Sequence, residues 1–239
     1  MTRNPLALLL RRARRLSVVL LALGLSLPLA AQVRESALPP PGINAPFENP
    51  NVTQWIEAFE REGREIWDKR VAIVDALGLR PGMRVADVGA GTGFFVRLMA
   101  DRVGPQGVVY AVDIARNFVE AIERRAQQDG QTWIRGVVNP PDRTGLPEGS
   151  VDLVFTSDTY HHFEYPQAML ASIHRSLRPG GELVVIDFER IPGLSSPWVL
   201  AHVRAGKPTV IREIEAAGFT LIEEIPLLRY NFMLRFRRP

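Results

Sequence analysis

The run Val85-Ala86-Asp87-Val88-Gly89-Ala90-Gly91-Thr92-Gly93-Phe94-Phe95 narrows most sharply what this chain can become. Small and β-branched apolar residues stop at three glycines spaced two apart, and a helix-competent segment, Phe94 to Val103, follows at once. That order reads as strand, tight turn, helix. Glycine permits positive φ and leaves bare backbone against which a ligand can lie. The helix that follows turns its free N–H groups toward the same place. Spacing then restricts the ligand. A dinucleotide fingerprint needs Gly-x-Gly-x-x-Gly, but here the sixth position is Phe94 and the third glycine, Gly93, comes one residue early. Asp87, just ahead of the glycines, ends a buried strand, where a carboxylate is costly unless backbone amides or a cation meet it. A ligand carrying an amine or a sulfonium would suit it.

The remaining segments repeat the alternation of strand and helix. Strands are expected over Met83–Val88, Val108–Asp113, Thr132–Val138, Val151–Thr156 and Leu183–Asp187. Helices are expected between them over Phe94–Val103, Ala115–Gln128 and Pro166–Leu177. Phe188 to His202 reads as irregular, Thr209–Ala217 as a helix, and Phe219–Ile225 and Leu227–Arg237 as two last strands. The phrases Leu146-Pro147-Glu148-Gly149-Ser150-Val151-Asp152-Leu153-Val154 and Leu177-Arg178-Pro179-Gly180-Gly181 stand before the fourth and fifth strands. With the glycine loop and its preceding acid, these segments resemble the class I S-adenosylmethionine-dependent methyltransferases over about Arg64 to Arg237.

The resemblance implies an α/β, Rossmann-like, doubly wound sheet of seven strands in the order 3-2-1-4-5-7-6. The last strand is antiparallel, and helices cover both faces. It also implies S-adenosyl-L-methionine as cofactor. Asp87, Gly89, Ala90, Gly91 and Gly93 would surround its amino-acid end, and Asp113, 24 residues after Gly89, would take the ribose hydroxyls. One carboxylate can accept both of those hydrogen bonds. Capping the helix that follows is the other role open to Asp113. Ile114 would pack on the adenine and Asp142, in Asn139-Pro140-Pro141-Asp142, would reach its amine. Ser157 opens the loop at the end of the fourth, central strand, where ligands sit in open α/β sheets.

Composition sets bounds on partners and compartment. The chain has 239 residues, 46% of them hydrophobic, enough for one good core. Its formal charge of +3 comes from Arg3, Arg11, Arg12, Arg14 and Arg15, the only charged residues among the first 31, so the remainder is slightly acidic. That balance gives no reason to invoke nucleic acid and favours a small-molecule acceptor. The absence of cysteine removes disulfides, thiolate metal sites and cysteine nucleophiles together. Residues 1–31 have the basic, apolar and small-residue layout of a secretory signal peptide, with an uncleaved membrane anchor as the rival reading. Residues 32–52, rich in proline, read as an extended linker, and 53–239 as the methyltransferase domain with an N-terminal helical cap. In that cap Thr53 is the expected N-cap, Gly63 a break between helices, and Trp55 and Trp67 core residues, with a lid over the ligand as their alternative.

Methyl transfer from a sulfonium is an in-line displacement in which the donor brings its own leaving group. The protein has mainly to align donor and acceptor. For a hydroxyl or amine acceptor a base helps, and His161 and His162 are the catalytic candidates, because imidazole titrates near neutral pH. In extended backbone the two rings would face opposite ways, so only one would serve. No metal site is expected, since the chain has four histidines and His174 falls in a helix. Two other classes stand beside the methyltransferase: a nicotinamide-dependent oxidoreductase, which lacks its glycine at position 94, and an exported nucleoside-binding or catalytically silent protein on the same fold.

Overall fold

The computed structural model describes residues 35–239; the expected leader lies outside the described residues. The strand, glycine turn and helix form as expected, as β1 (Arg84–Val88) and, after α1 (Val52–Phe59), α2 (Glu65–Asp68) and α3 (Arg70–Ala76), the helix α4 (Phe94–Val103). There follow β2 (Val108–Asp113), α5 (Arg116–Gln128), β3 (Ile134–Val138) and β4 (Val151–Ser157). A 3-10 turn, Tyr160–His162, leads to α6 (Pro166–Ser176) and β5 (Leu177–Phe188). The chain then forms α7 (Pro197–His202), α8 (Lys207–Ala216), β6 (Thr220–Glu224) and β7 (Asn231–Arg237). The stretch expected to be irregular thus contains α7, started by Pro197 behind Ser196, whose hydroxyl accepts from Val199 N at 3.2 Å.

The sheet order is β3-β2-β1-β4-β5-β7-β6, with β7 antiparallel to β5 and β6. Alternate residues of the parallel strands face opposite sides. Val85, Val109, Leu153, Phe155 and Val184 pack on one side with residues of α3, α4 and α5. Ala86, Val88, Val112, Val154 and Val185 pack on the other with residues of α6 and α8. Both faces are covered, which is why these strands read as continuous apolar runs rather than as alternating ones. Because the strand order reverses between β1 and β4, the helices leave them on opposite faces and a crevice opens at their carboxyl ends.

The N-terminal part differs from expectation in two respects. The described part of the proline-rich segment lies against the domain: Ser36 N donates to Arg204 O at 3.0 Å, Gly206 N donates to Glu35 Oε1 at 2.8 Å, and Ile43 is buried. The helix α1 is capped by Asn51, whose side chain accepts from Gln54 N at 3.2 Å, rather than by Thr53. No residue of α1 is buried. Trp55 therefore stands outside the core, between Phe47 and Phe59 at ring separations of 4.9 and 4.8 Å, while Trp67 meets Phe94 edge-on at 5.5 Å. Gly63, with φ +84°, makes the expected break.

A buried polar network fixes the 3-10 turn after β4. Arg204, its side chain 1% exposed, makes a two-pronged ion pair with Glu213 of α8 at 2.8 and 2.6 Å, and the Tyr160 hydroxyl donates to Glu213 Oε2 at 2.7 Å. Truncating one partner leaves the other charge buried and alone, at a cost of about 3–5 kcal/mol. Glu213→Ala is therefore expected to lose stability on that scale in urea denaturation. A loss below about 1 kcal/mol, the value of a solvated pair, would contradict it.

Candidate functional site

The carboxyl ends of β1, β2 and β4 open into a cavity of about 680 Å³, roofed by the chain from Ile43 to Arg64. Its floor is the glycine turn. Gly89 and Gly91 have φ of +80° and +52°, and a side chain at Gly89 would overlap that of Thr159. The Phe59 ring lies across Gly91, so that a Cβ there would come within 3.4 Å of it.

Two carboxylates stand beside this floor. Asp113 at the end of β2 accepts from Gly91 N and Ala115 N, both at 2.8 Å. Acceptor capacity remains on it for another donor. Burial raises its pKa against the opposing effect of these amides. Asp87 has no hydrogen-bond or ion-pair partner among the described residues. Burial, and then the negative charge of Asp113, push its pKa up to about 8. Ser157 also lines the cavity, and its buried hydroxyl has no partner among the described residues.

The opposite wall carries imidazoles. His161 is buried, its Nδ1 2.8 Å from Asp187 Oδ1, and its backbone N–H donates to Asp187 Oδ2 at 3.0 Å. Burial alone would raise the pKa of Asp187, but His161 and the amides outweigh it and hold the carboxyl below its usual range. His162 places Nδ1 3.1 Å from Asn44 Oδ1, and burial, with His161 and His202 as neighbours, lowers its pKa to about 3. Both rings line the cavity, because residues 160–162 form a 3-10 turn rather than the extended backbone that would have separated them. His202 of α7 joins them at 5.2 Å from each ring. Three of the four histidines therefore converge, and His174 alone stands apart, against Phe219. Between this wall and the floor, Asp158 adopts φ +50°, unusual without glycine, and accepts from Arg64 Nη2 and Asn231 Nδ2, each at 2.6 Å. Burial raises its pKa, opposed by Arg64.

A family model described as "Methyltransferase domain" matches residues 86–185, from β1 through most of β5. That stretch, less than half of the chain, is similar to methyltransferase domains, in line with the resemblance read from the sequence. The ubiquinone/menaquinone biosynthesis C-methyltransferase UbiE of Bordetella avium is 32% identical over 150 residues, 62% of this chain and 58% of that one. The nocamycin O-methyltransferase of Saccharothrix syringae is 32% identical over 134 residues, 56% of this chain and 48% of its own. The chain thus spans between about half and three fifths of the length of these curated relatives. A solved SAM-dependent methyltransferase from Aquifex aeolicus shares the fold, with a TM-score of 0.70 and 23% identity over 80% of this chain and all of that one.

Among the site residues expected from sequence, Asp87, Gly89, Ala90, Gly91, Asp113, Ile114, Ser157, His161 and His162 all line the cavity. Two do not. Asp142 turns outward, 45% exposed and paired with Arg143 at 2.9 Å, because the two prolines before it turn the chain so that Asn139 and Pro141 face inward instead. Gly93 sits behind the floor, where a side chain would strike Ile122 of α5, so its lack of a Cβ serves helix packing. Sequence reasoning missed Asn44, Phe47, His202 and Asp187. Only Asp187 carried a signal, as a third strand ending in aspartate after Asp87 and Asp113.

The state of Asp87 has a pH signature. In the folded chain it keeps its proton up to about pH 8, whereas an unfolded aspartate releases it near 4. Between those values the folded state binds the extra proton, so the contribution of Asp87 to stability falls as pH rises, by up to about 1.4 kcal/mol per unit. Asp87→Asn stays uncharged throughout. Its stability advantage over the wild type in urea denaturation is expected to grow from pH 5 to pH 8. A constant difference over that range would show that the carboxyl is ionised already.

Proposed function

We propose that the chain transfers a methyl group from S-adenosylmethionine to a small, largely apolar acceptor. The observation that carries this reading is the pairing of bare glycine backbone with two carboxylates of unequal satisfaction. Asp113 has free lone pairs for a diol. Asp87 has no cation, so a ligand with an amine or sulfonium would supply the charge that it lacks. The unpartnered Ser157 hydroxyl and the apolar edges of Ile114 and Pro141 complete a site with which a nucleoside bearing a positive charge fits. When bound, that donor supplies a methyl group on a sulfonium and its own leaving group.

The protein's part is alignment and exclusion of water. Phe47, Trp55 and Phe59 form a continuous aromatic wall above the glycine turn, suited to a flat or apolar acceptor. His161, His162 and His202 face the same space and would receive the acceptor's polar atom. Among the curated relatives one is named a C-methyltransferase and another an O-methyltransferase, so either kind of acceptor atom is open to this site. We also propose that residues 1–31 carry the domain out of the cytoplasm. Fractionation of cells expressing the whole chain checks this, and an exclusively cytoplasmic product would remove it.

Incubating the protein with methyl-labelled S-adenosylmethionine and a metabolite extract is expected to yield a labelled small molecule. Calorimetry separates the alternatives: donor binding without any labelled product would mean a silent binding protein. Asp113→Ala is expected to weaken donor binding by roughly 1–3 kcal/mol, the cost of leaving charged hydrogen-bonding partners unmet. Unchanged affinity would remove the ribose role.

A further inference from the structure

The three converging histidines lie at the acceptor end of the cavity and come from separate parts of the chain. One ring nitrogen from each of His161, His162 and His202 lies within 4.8 Å of those of the other two. What distinguishes them from a chance cluster is the orientation of the rings. His161 turns Nδ1 to the buried carboxylate of Asp187 at 2.8 Å, and His162 turns Nδ1 to the amide oxygen of Asn44 at 3.1 Å. The Asn44 amide is itself fixed, its Nδ2 donating to Glu164 Oε1 at 2.8 Å and to His162 O at 3.1 Å, so its oxygen is the atom presented to the ring. Each imidazole can therefore donate through Nδ1, and in its neutral form that leaves the Nε2 lone pair for a ligand. Trp198 stacks on His202 at 4.6 Å.

We propose that His161, His162 and His202 form a binding site for one divalent zinc-class ion, with its fourth position open to the cavity. Imidazole-only ligation without thiolates suits zinc and its neighbours in the transition series. Three histidines with an open position are the ligand set of catalytic rather than structural zinc. The Asp187 and Asn44 contacts are the outer-shell acceptors that such ligands use to fix tautomer and direction. A tetrahedral ion holds its nitrogen ligands roughly 3.3 Å apart, so loading draws the rings together by at most about 1.5 Å. His202 ends a short helix and is the ring with freedom to make that shift.

The role of the ion rests on the methyltransferase reading. It would hold an acceptor hydroxyl, whose proton leaves to water. The oxygen then bonds to the methyl carbon, and the carbon–sulfur bond breaks with its electron pair remaining on sulfur. In that arrangement the histidines act through the ion, and none need be the base.

The test uses the whole chain, purified without chelator. Elemental analysis is expected to find close to one zinc per chain. After stripping and titration with Co²⁺, a visible spectrum of tetrahedral character is expected to saturate at one equivalent. His202→Ala, which removes a partly exposed ligand, is expected to weaken Co²⁺ binding by 100-fold or more while the far-ultraviolet dichroism of the stripped protein is unchanged. Asn44→Ala, which touches no ion, is expected to weaken it by about 10–100-fold, the range for loss of an outer-shell partner. Wild-type protein that binds Co²⁺ or Zn²⁺ only at millimolar concentration, or equal affinity in His202→Ala, would overturn the site. Donor calorimetry on the same samples keeps the two readings apart: donor binding with no ion would overturn this proposal alone. One tightly held ion without donor binding supports the site and counts against methyl transfer.

Discussion

Aspartates end or follow four neighbouring strands of the sheet, all at one edge, and the different ways in which their charge is met organise everything around the cavity. Asp113 is met by backbone amides, Asp187 by an imidazole and two amides, and Asp158 by Arg64 and Asn231. Asp87, between β2 and β4 in the sheet, has no partner among the described residues, and Asp113 repels it. Burial of an unpaired carboxylate costs several kcal/mol unless it takes up a proton. The site thus holds one carboxyl that only a proton or a cation can satisfy, and it lies under the glycine turn, where a ligand can come closest to the backbone. Each neighbouring aspartate, by contrast, is used to hold something: the turn, a histidine, or the roof.

The roof shows how lightly the upper half of the cavity is attached. Its helix α1 buries none of its residues and is held chiefly by aromatic contacts among Phe47, Trp55 and Phe59 and by Arg64, which reaches Asp158 and also donates to Phe59 O at 3.0 Å. Elements with little buried apolar surface open at the least free-energy cost. Gly63, in the left-handed region, lies between α1 and the firmly packed α2 and α3, whose Ile66, Ile73 and Val74 join the core. The Asp158–Arg64 pair therefore links the ends of the parallel strands to the least buried part of the wall.

The lower half of the site was legible in the sequence because it is written locally. Strand, glycine turn and helix follow one another within 84–103, and each β-strand that ends in aspartate places its carboxylate at the same edge by geometry alone. The upper half was not legible, because its residues meet only through the tertiary fold. Asn44 and His162 are 118 positions apart, and nothing in a proline-rich segment marks it as the partner of a histidine. The pair His161-His162 was read in extended backbone, where period two separates side chains; one 3-10 turn, locked by Tyr160 on Glu213, put both on the same wall. Asp142 failed in the opposite direction. Its residue type suited the role, but the prolines before it set the turn, and the turn decided which side chains faced the cavity.

This division also bears on how such a domain changes its acceptor. The residues around the proposed donor belong to β1, β2 and β4 and the turns directly after them, and altering their positions would disturb the sheet itself. The wall opposite is assembled from the segment before α2, the 3-10 turn and α7, none of which contributes a strand. Loops and short helices of that kind tolerate replacement, since few sheet hydrogen bonds depend on them. The three histidines lie in this replaceable half, and one of them, His161, is anchored on Asp187, which belongs to β5. An imidazole cluster tied to the sheet at one point can be positioned as accurately as the donor site while the residues around it vary, and that anchoring sets it apart from the rest of the acceptor wall.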